Sequence, residues 1–229
     1  MAKLSPHTFG LLGMLAVRPW TSYELTHQVR RSLRFMWQTS EGHLYREQRR
    51  LVKLGWASVE EEPTGRRTRK RYTITTQGRD ALAEWLSTEP QEPTLQIEGI
   101  MRAFFGDQGS PAQLVASMQA TSRDARSMLD ELVGFVDEYL EEGGPMTMIE
   151  TGRSGPSTPR EEFRGRLMYP ERLHVVALSI DVMTQLLDSI DHFFAAASDE
   201  VSEWNNTTDP ELAPSTRQRL ERIRSRRHT

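Results

Sequence analysis

Two clusters of cationic side chains hold most of the chemistry this sequence offers. Residues 42–53 contain Arg46, Arg49, Arg50 and Lys53 within eight positions. At about 100° per residue, Gly42, Arg46, Arg49 and Lys53 share one side of a helix, with His43 and Arg50 flanking them. Leu44, Gln48, Leu51 and Val52 share the other side, with Tyr45 at its edge. One face is anchored and the other presents charge. The second cluster, residues 65–71, holds Arg66, Arg67, Arg69, Lys70 and Arg71 with only Gly and Thr between them. Guanidinium groups can pair bidentately with guanine edges, and both cation types neutralise phosphate. Like charge this crowded disfavours folding unless an anion is near, and an extended arginine loop suits a narrow minor groove. Gly42, in the first turn, lets a backbone approach closely, and amides at a helix start favour anions. Either cluster alone also reads as an ordinary solvated face or basic loop.

The elements that must position these residues are short and well punctuated. Ser5 before Pro6 reads as an N-cap, followed by the apolar run 9–17 and a stop at Pro19. Thr21 and Glu24 form a capping box that opens a helix with Tyr23, Leu25 and Val29. Thr39-Ser40 caps a third helix that ends at Gly55. Residues 57–62 and 71–75 alternate apolar and polar around a turn with Pro63 and Gly65, which predicts a half-buried hairpin. Thr76 then caps a fourth helix with Ala81, Leu82, Trp85 and Leu86. Three helices, a hairpin and a fourth helix are the order of a winged helix-turn-helix, whose third helix enters the major groove. The two cationic clusters fall on the two parts such a module presents to DNA.

These residues also carry a family likeness. Ser22-Tyr23-Glu24-Leu25, Trp37, Ser40 to Glu47, Leu51 to Gly55-Trp56, Arg71 to Thr75 and Gly78-Arg79 together resemble the PadR-family transcriptional regulators. The acidic remainder resembles the larger C-terminal domain of the family's longer branch in length and layout. The resemblance implies a homodimer whose C-terminal helices exchange contacts and whose two winged heads bind a palindromic operator, usually repressing. It carries DNA contact onto Ser40, His43, Tyr45 and Arg46, with Tyr23 on the preceding helix. Some members respond to phenolic compounds, so a small-molecule effector is a further expectation, although no residue here identifies one. His43, where the family often has Gln, and Gln48-Arg49-Arg50 depart from the pattern, so an operator sequence cannot be borrowed.

Charge divides the chain. Residues 1–88 carry 15 Lys/Arg against 8 Asp/Glu, residues 89–214 carry 8 against 23, and residues 215–229 carry 6 against 1. Residues 87–94, with Pro90 and Pro93, read as a linker. A capping box at Ser110 and Gln113 opens a long helix, whose inward positions include Leu129, Leu132 and Val136. From Pro170 a second long helix places Leu173, Val176, Ile180, Met183, Leu187, Ile190 and Phe194 at alternating steps of three and four. A parallel row, Val175, Leu178, Val182, Leu186 and Phe193, makes this helix apolar on two sides, and a partner subunit is the economical cover. Both long-helix seams are therefore expected to dimerise. The expected fold is mainly α: a winged head (1–88), a linker (89–95), a helical dimerisation and effector body (96–204) with a loop at 143–160, and a basic tail (205–229).

Other functions find little support. There is no cysteine, no His-x-x-x-His pair, and no nucleophile elbow or phosphate loop. Asp188, Asp191 and His192 read as a solvated helix face. No catalytic site, metal or cofactor is expected. Uninterrupted apolar runs fall far short of the ~18 residues of a membrane span, and the N-terminus is a poor signal peptide, so the reading is cytoplasmic. The reading is thus a sequence-specific regulator with double-stranded DNA and itself as partners. The alternative is a protein-interaction module built on a repurposed winged helix.

Overall fold

A computed structural model describes residues 4–37, 39–64, 67–155 and 161–226, in two compact units, Met1–Thr94 and Leu95–Thr229. In the first unit α1 (Pro6–Val17) begins at Ser5, with Pro6 in the first turn where a missing amide costs nothing. The short strand β1 (Trp20–Thr21) leads into α2 (Ser22–Ser32), which opens with the full Thr21–Glu24 capping box. The third helix, α3 (Glu41–Lys53), is capped by the Ser40 hydroxyl and stops at Gly55, whose φ of +73° suits a residue without a Cβ.

The hairpin of β2 (Ala57–Thr64) and β3 (Arg67–Ile74) is longer than the alternation implied, and β1 adds a third antiparallel strand beside β3. The cap of α4 (Thr76–Ser87) is Thr75, not Thr76: its Oγ1 accepts from the Gly78 amide at 3.0 Å. Gly78 is required there, because a Cβ would fall 2.1 Å from the Trp56 carbonyl oxygen. Leu11, Leu12, Leu15, Leu25, Val29, Leu44 and Leu51 form the centre of the head's core, closed by Trp20, Tyr72 and Ile74.

The second unit is helical. A short α5 (Glu98–Phe104), which no periodic pattern announces, precedes the thirty-residue α6 (Pro111–Leu140), which opens with the expected Ser110–Gln113 box. The expected loop at 143–160 is partly structured: α7 (Pro145–Glu150) starts on Pro145 and buries Met148. Proline at a first helical turn makes a Gly/Pro-rich stretch a helix start rather than a break. Residues 156–160 lie outside the described residues. A hairpin of β4 (Glu162–Phe163) and β5 (Arg166–Leu167) and a 3-10 turn at Pro170–Arg172 lead into α8 (Leu173–Ser202). The tail contains α9 (Ala213–Ser225).

α6 and α8 run antiparallel, with Leu114 and Met118 packed on Phe194, Ala197 and Val201. The α8 seam faces α6: Leu187 and Phe194 are buried within the chain and Ile190 packs on the same cluster, as Leu132 is buried from the α6 side. Leu129, Val136, Leu173, Val176, Ile180 and Met183 are half-buried. The parallel row stays uncovered, from Leu186 at 41% exposed to Leu178 at 71%. Asp191 corrects the reading of a solvated face. It is buried, accepts from Ser122 Oγ at 2.5 Å and pairs with Arg126 at 2.6 Å. The Ser122 hydrogen bond, aided by Arg126, holds its carboxyl below the usual range against the opposing effect of burial.

Candidate nucleic-acid interface

α3 is pinned from below by both apolar and polar contacts. Leu44 and Leu51 are fully buried. Gln48, buried beside them, donates from Nε2 to Thr26 Oγ1 at 3.1 Å and accepts from the Ser22 hydroxyl, tying α3 to α2. Glu47 was not singled out by sequence, yet it is buried and accepts from Thr8 Oγ1 of α1 at 2.6 Å, with Arg50 Nη1 at 3.5 Å. Its position on the flank of the apolar face was the available signal. A buried carboxylate persists only with such partners: the Thr8 contact fixes how α3 sits on α1, and Arg50 offsets the charge from within α3.

The outer face of α3 carries what its periodicity placed there. Gly42, Arg46, Arg49 and Lys53 are exposed, Tyr45 is half-buried, and Ser40 is exposed at the cap. A Cβ on Gly42 would meet only Arg46 Nη1, at 3.8 Å, so this fold does not itself demand glycine there. Tyr23 on α2 is 74% exposed and its ring lies alongside His27, centroids 6.2 Å apart. The ion pairs of the head include Arg30–Glu41, Arg50–Glu47, Arg71–Glu62 and Lys70–Glu61, and none of these engages Arg46, Arg49 or Lys53.

His43 is placed differently from the outward orientation implied by the resemblance. Its ring meets His7 edge-on at 5.9 Å and its Nε2 is buried without a hydrogen-bond partner. His7 in turn stacks on Trp37 at 4.3 Å. Burial, and then the neighbouring His43, lowers the His7 pKa, with Glu47 opposing. His43 sits at the flank of the helix, where the α1 aromatic surface competes with solvent for its ring.

The wing is less bare than its composition suggests. Register pairs Glu60 with Arg71, Glu61 with Lys70 and Glu62 with Arg69. Arg71 is bonded to Glu62, while Lys70 stands 4.0 Å from Glu61. The anion that such crowding needs is thus partly supplied by the facing strand, and Arg69 and Lys70 remain exposed. Arg66 and the Arg67 side chain lie outside the described residues. Burial raises the Tyr72 phenol's pKa, and the Arg49 charge on α3 opposes it.

Among the described residues there is no group of three or more His, Asp or Glu that could hold a metal. α8 with its preceding turn is long and apolar enough to cross a membrane by length and composition, with a mean hydropathy of 1.4 over eighteen residues. Counting uninterrupted runs overlooked it, because Asp181, Asp188 and Asp191 break them. One face of this helix packs on α6.

Residues 11–84 match the model of the transcriptional regulator PadR-like family. A negative transcriptional regulator PadR from Bacillus subtilis is 22% identical over 141 residues, covering 61% of this chain and 78% of that protein. Among solved structures, smu.1604c from Streptococcus mutans superposes with a TM-score of 0.64 at 17% identity, over 83% of this chain and 96% of that one. B. subtilis PadR in complex with operator DNA gives 0.62 at 16% identity, over 86% and 99%. The same protein in complex with p-coumaric acid gives 0.55 at 17%, over 86% and 98%. The three-helix head with its wing, the matched segment and the shared architecture agree: residues 11–84 are similar to the PadR-like family of transcriptional regulators, and the chain shares the fold of the solved PadR structures.

Proposed function

We propose that the chain is a sequence-specific DNA-binding repressor that acts as a homodimer on a palindromic operator and is released by a small-molecule effector. The observation that carries this reading is the exposed Arg46, Arg49 and Lys53 face of α3, opposite the face held by Leu44, Glu47, Gln48 and Leu51. Arg46 and Arg49 read base edges, and Lys53, Arg50, Arg69 and Lys70 meet phosphates, with Tyr23, Ser40, Gly42 and Tyr45 lining the contact. Arg66 and Arg67 belong to the same wing tip. The head of residues 1–88 binds DNA, residues 89–95 link, and the body of residues 96–204 pairs two copies in the cytoplasm.

The operator complex and the p-coumaric acid complex of the similar B. subtilis PadR support DNA and an effector as partners, and its name as a negative regulator supports repression. The uncovered row on α8 supports the homodimer, because a soluble monomer rarely exposes so continuous an apolar stripe. The test begins with selection of bound oligonucleotides from a random pool. Arg46→Glu with Arg49→Glu should weaken binding to the selected site by roughly 100-fold or more while sedimentation stays unchanged. Undiminished binding by that variant would remove α3 as the reader.

A further inference from the structure

We propose that Glu60, Glu61 and Glu62 are an electrostatic brake, which holds down affinity for DNA of any sequence by competing with phosphate for the cations of the wing. This rests on the DNA-binding reading above and gives a role to residues that reading leaves out. Register sets the three carboxylates of β2 directly opposite Arg71, Lys70 and Arg69 of β3. Opposed residues share a face of a hairpin, so Glu60, Glu62, Arg69 and Arg71 lie on one side, with Glu61 and Lys70 on the other. Among these six residues, positive and negative charges balance on each side. A surface that only attracts phosphate would leave its cations bare, as α3 leaves Arg46, Arg49 and Lys53, which take part in none of the ion pairs named above. Hairpin stability gains little from the pattern. Glutamate is depleted in strands, exposed ion pairs contribute little, and Glu60 and Glu62 repel each other from one face.

The three carboxylates hold their partners to different degrees. Glu62 is bonded to Arg71, and the Glu24 charge at the start of α2 acts on the same guanidinium, so Arg71 is engaged within the head. Glu61 stands 4.0 Å from Lys70 and both are exposed. Phosphate can take Lys70 only by leaving a carboxylate beside itself. Glu60 is exposed, and its register partner Arg71 is already taken by Glu62. It therefore adds negative charge to the face that carries Arg69. The compensation fades toward the turn, where Arg67 is registered with the neutral Thr64. Two strand residues beyond Glu62 are about 7 Å, close to one screening length at physiological salt.

Residues 57–75 hold three carboxylates against five cations, so the hairpin carries less than half the net charge that its basic segment alone would give it. Binding to DNA of arbitrary sequence rests almost wholly on neutralised phosphates and the counterions they release. A wing that supplies its own anions neutralises fewer phosphates. Base contacts made by α3 are untouched, because they depend on groove edges rather than on the wing. Affinity for every duplex falls, and the share of it that depends on sequence rises.

The test compares full-chain variants on a random-sequence duplex and on the selected duplex across a range of salt. Glu60→Gln with Glu61→Gln leaves the Arg71–Glu62 contact in place. It should raise affinity for both duplexes about fivefold at low salt and steepen the salt slope by about one, at unchanged melting temperature. Glu61→Gln alone, the milder change, should raise affinity about twofold. Glu89→Gln with Glu92→Gln removes the same two charges from exposed residues beyond α4 and should alter neither affinity nor slope. An equal gain from that control overturns the proposal, because net charge would then account for it. Weaker binding with a lower melting temperature also overturns it, since the carboxylates would then serve only the hairpin. So does an unchanged slope, or a gain confined to the selected duplex. A wild-type chain that no duplex retains at low salt removes the DNA-binding reading itself, and the brake with it.

Discussion

The head and the body solve the problem of covering apolar surface in opposite ways. Among the described residues, four large hydrophobic side chains are well exposed in the first unit (Tyr23, Met36, Val59 and Leu86), against fifteen in the second. The head closes its core on three helices and a sheet and spends its surface on charge. The body pairs two long helices, and each two-helix pair can bury only one stripe per helix. The apolar surplus of α8 therefore faces out, as do Phe104 and Phe105 at the C-terminal end of α5. A unit with a closed core can spend its surface on charge, whereas the α6–α8 pair leaves an apolar row exposed.

That contrast can be broken by substitution. Leu178→Asp with Val182→Asp should have the largest effect, converting dimers to monomers by sedimentation while leaving α8 folded, because both side chains are exposed in the single chain. An aspartate at Leu187, by contrast, should unfold the α6–α8 pair, since that residue is already buried. A variant at 178 and 182 that stays dimeric would move the interface elsewhere. Within the head, Leu44→Ala should lower stability by about 2–5 kcal/mol, read as thermal unfolding that abolishes DNA binding without dissociating the body. Unchanged melting would mean that α3 is not anchored as described.

Smaller effects sharpen the comparison. Asp191 has a folded pKa below its unfolded value, so its stabilisation is present above the unfolded pKa and fades as pH falls through the folded one. The body should therefore lose stability in acid, and Asp191→Asn should cost about 1–3 kcal/mol near neutrality and flatten that acid loss. An unaltered pH profile would show that the Ser122–Asp191–Arg126 contact does not hold the helices together. Smallest of all, Arg69→Gln with Lys70→Gln should weaken binding to all DNA alike and reduce the salt slope by no more than about two, because Lys70 already has Glu61 nearby. A loss of discrimination at unchanged slope would make the wing a base reader.

Much of the head was legible because its signals are local. Capping boxes, Gly55 and the alternation of residues 57–62 act within a few positions of themselves, so the three helices, the hairpin and the charged face of α3 could be read in order. The displaced cap at Thr75 shows the usual play of one residue between adjacent threonines. β1 was not legible, because a two-residue strand has no period of its own and exists only by pairing with Tyr72 and Arg71. The short helices α5 and α7 escaped for the same reason.

The amino-acid order alone determined which side of α3 carries Arg46 and Arg49, and that α8 would be apolar on two sides, since helical periodicity follows from backbone geometry. Tertiary structure decided which of those two sides α6 would take, that Asp191 and Glu47 would be buried with partners, that His43 would turn toward His7, and that Glu62 would occupy Arg71. Those outcomes depend on residues tens of positions apart in sequence meeting in space, and no local pattern encodes which partner a side chain will find.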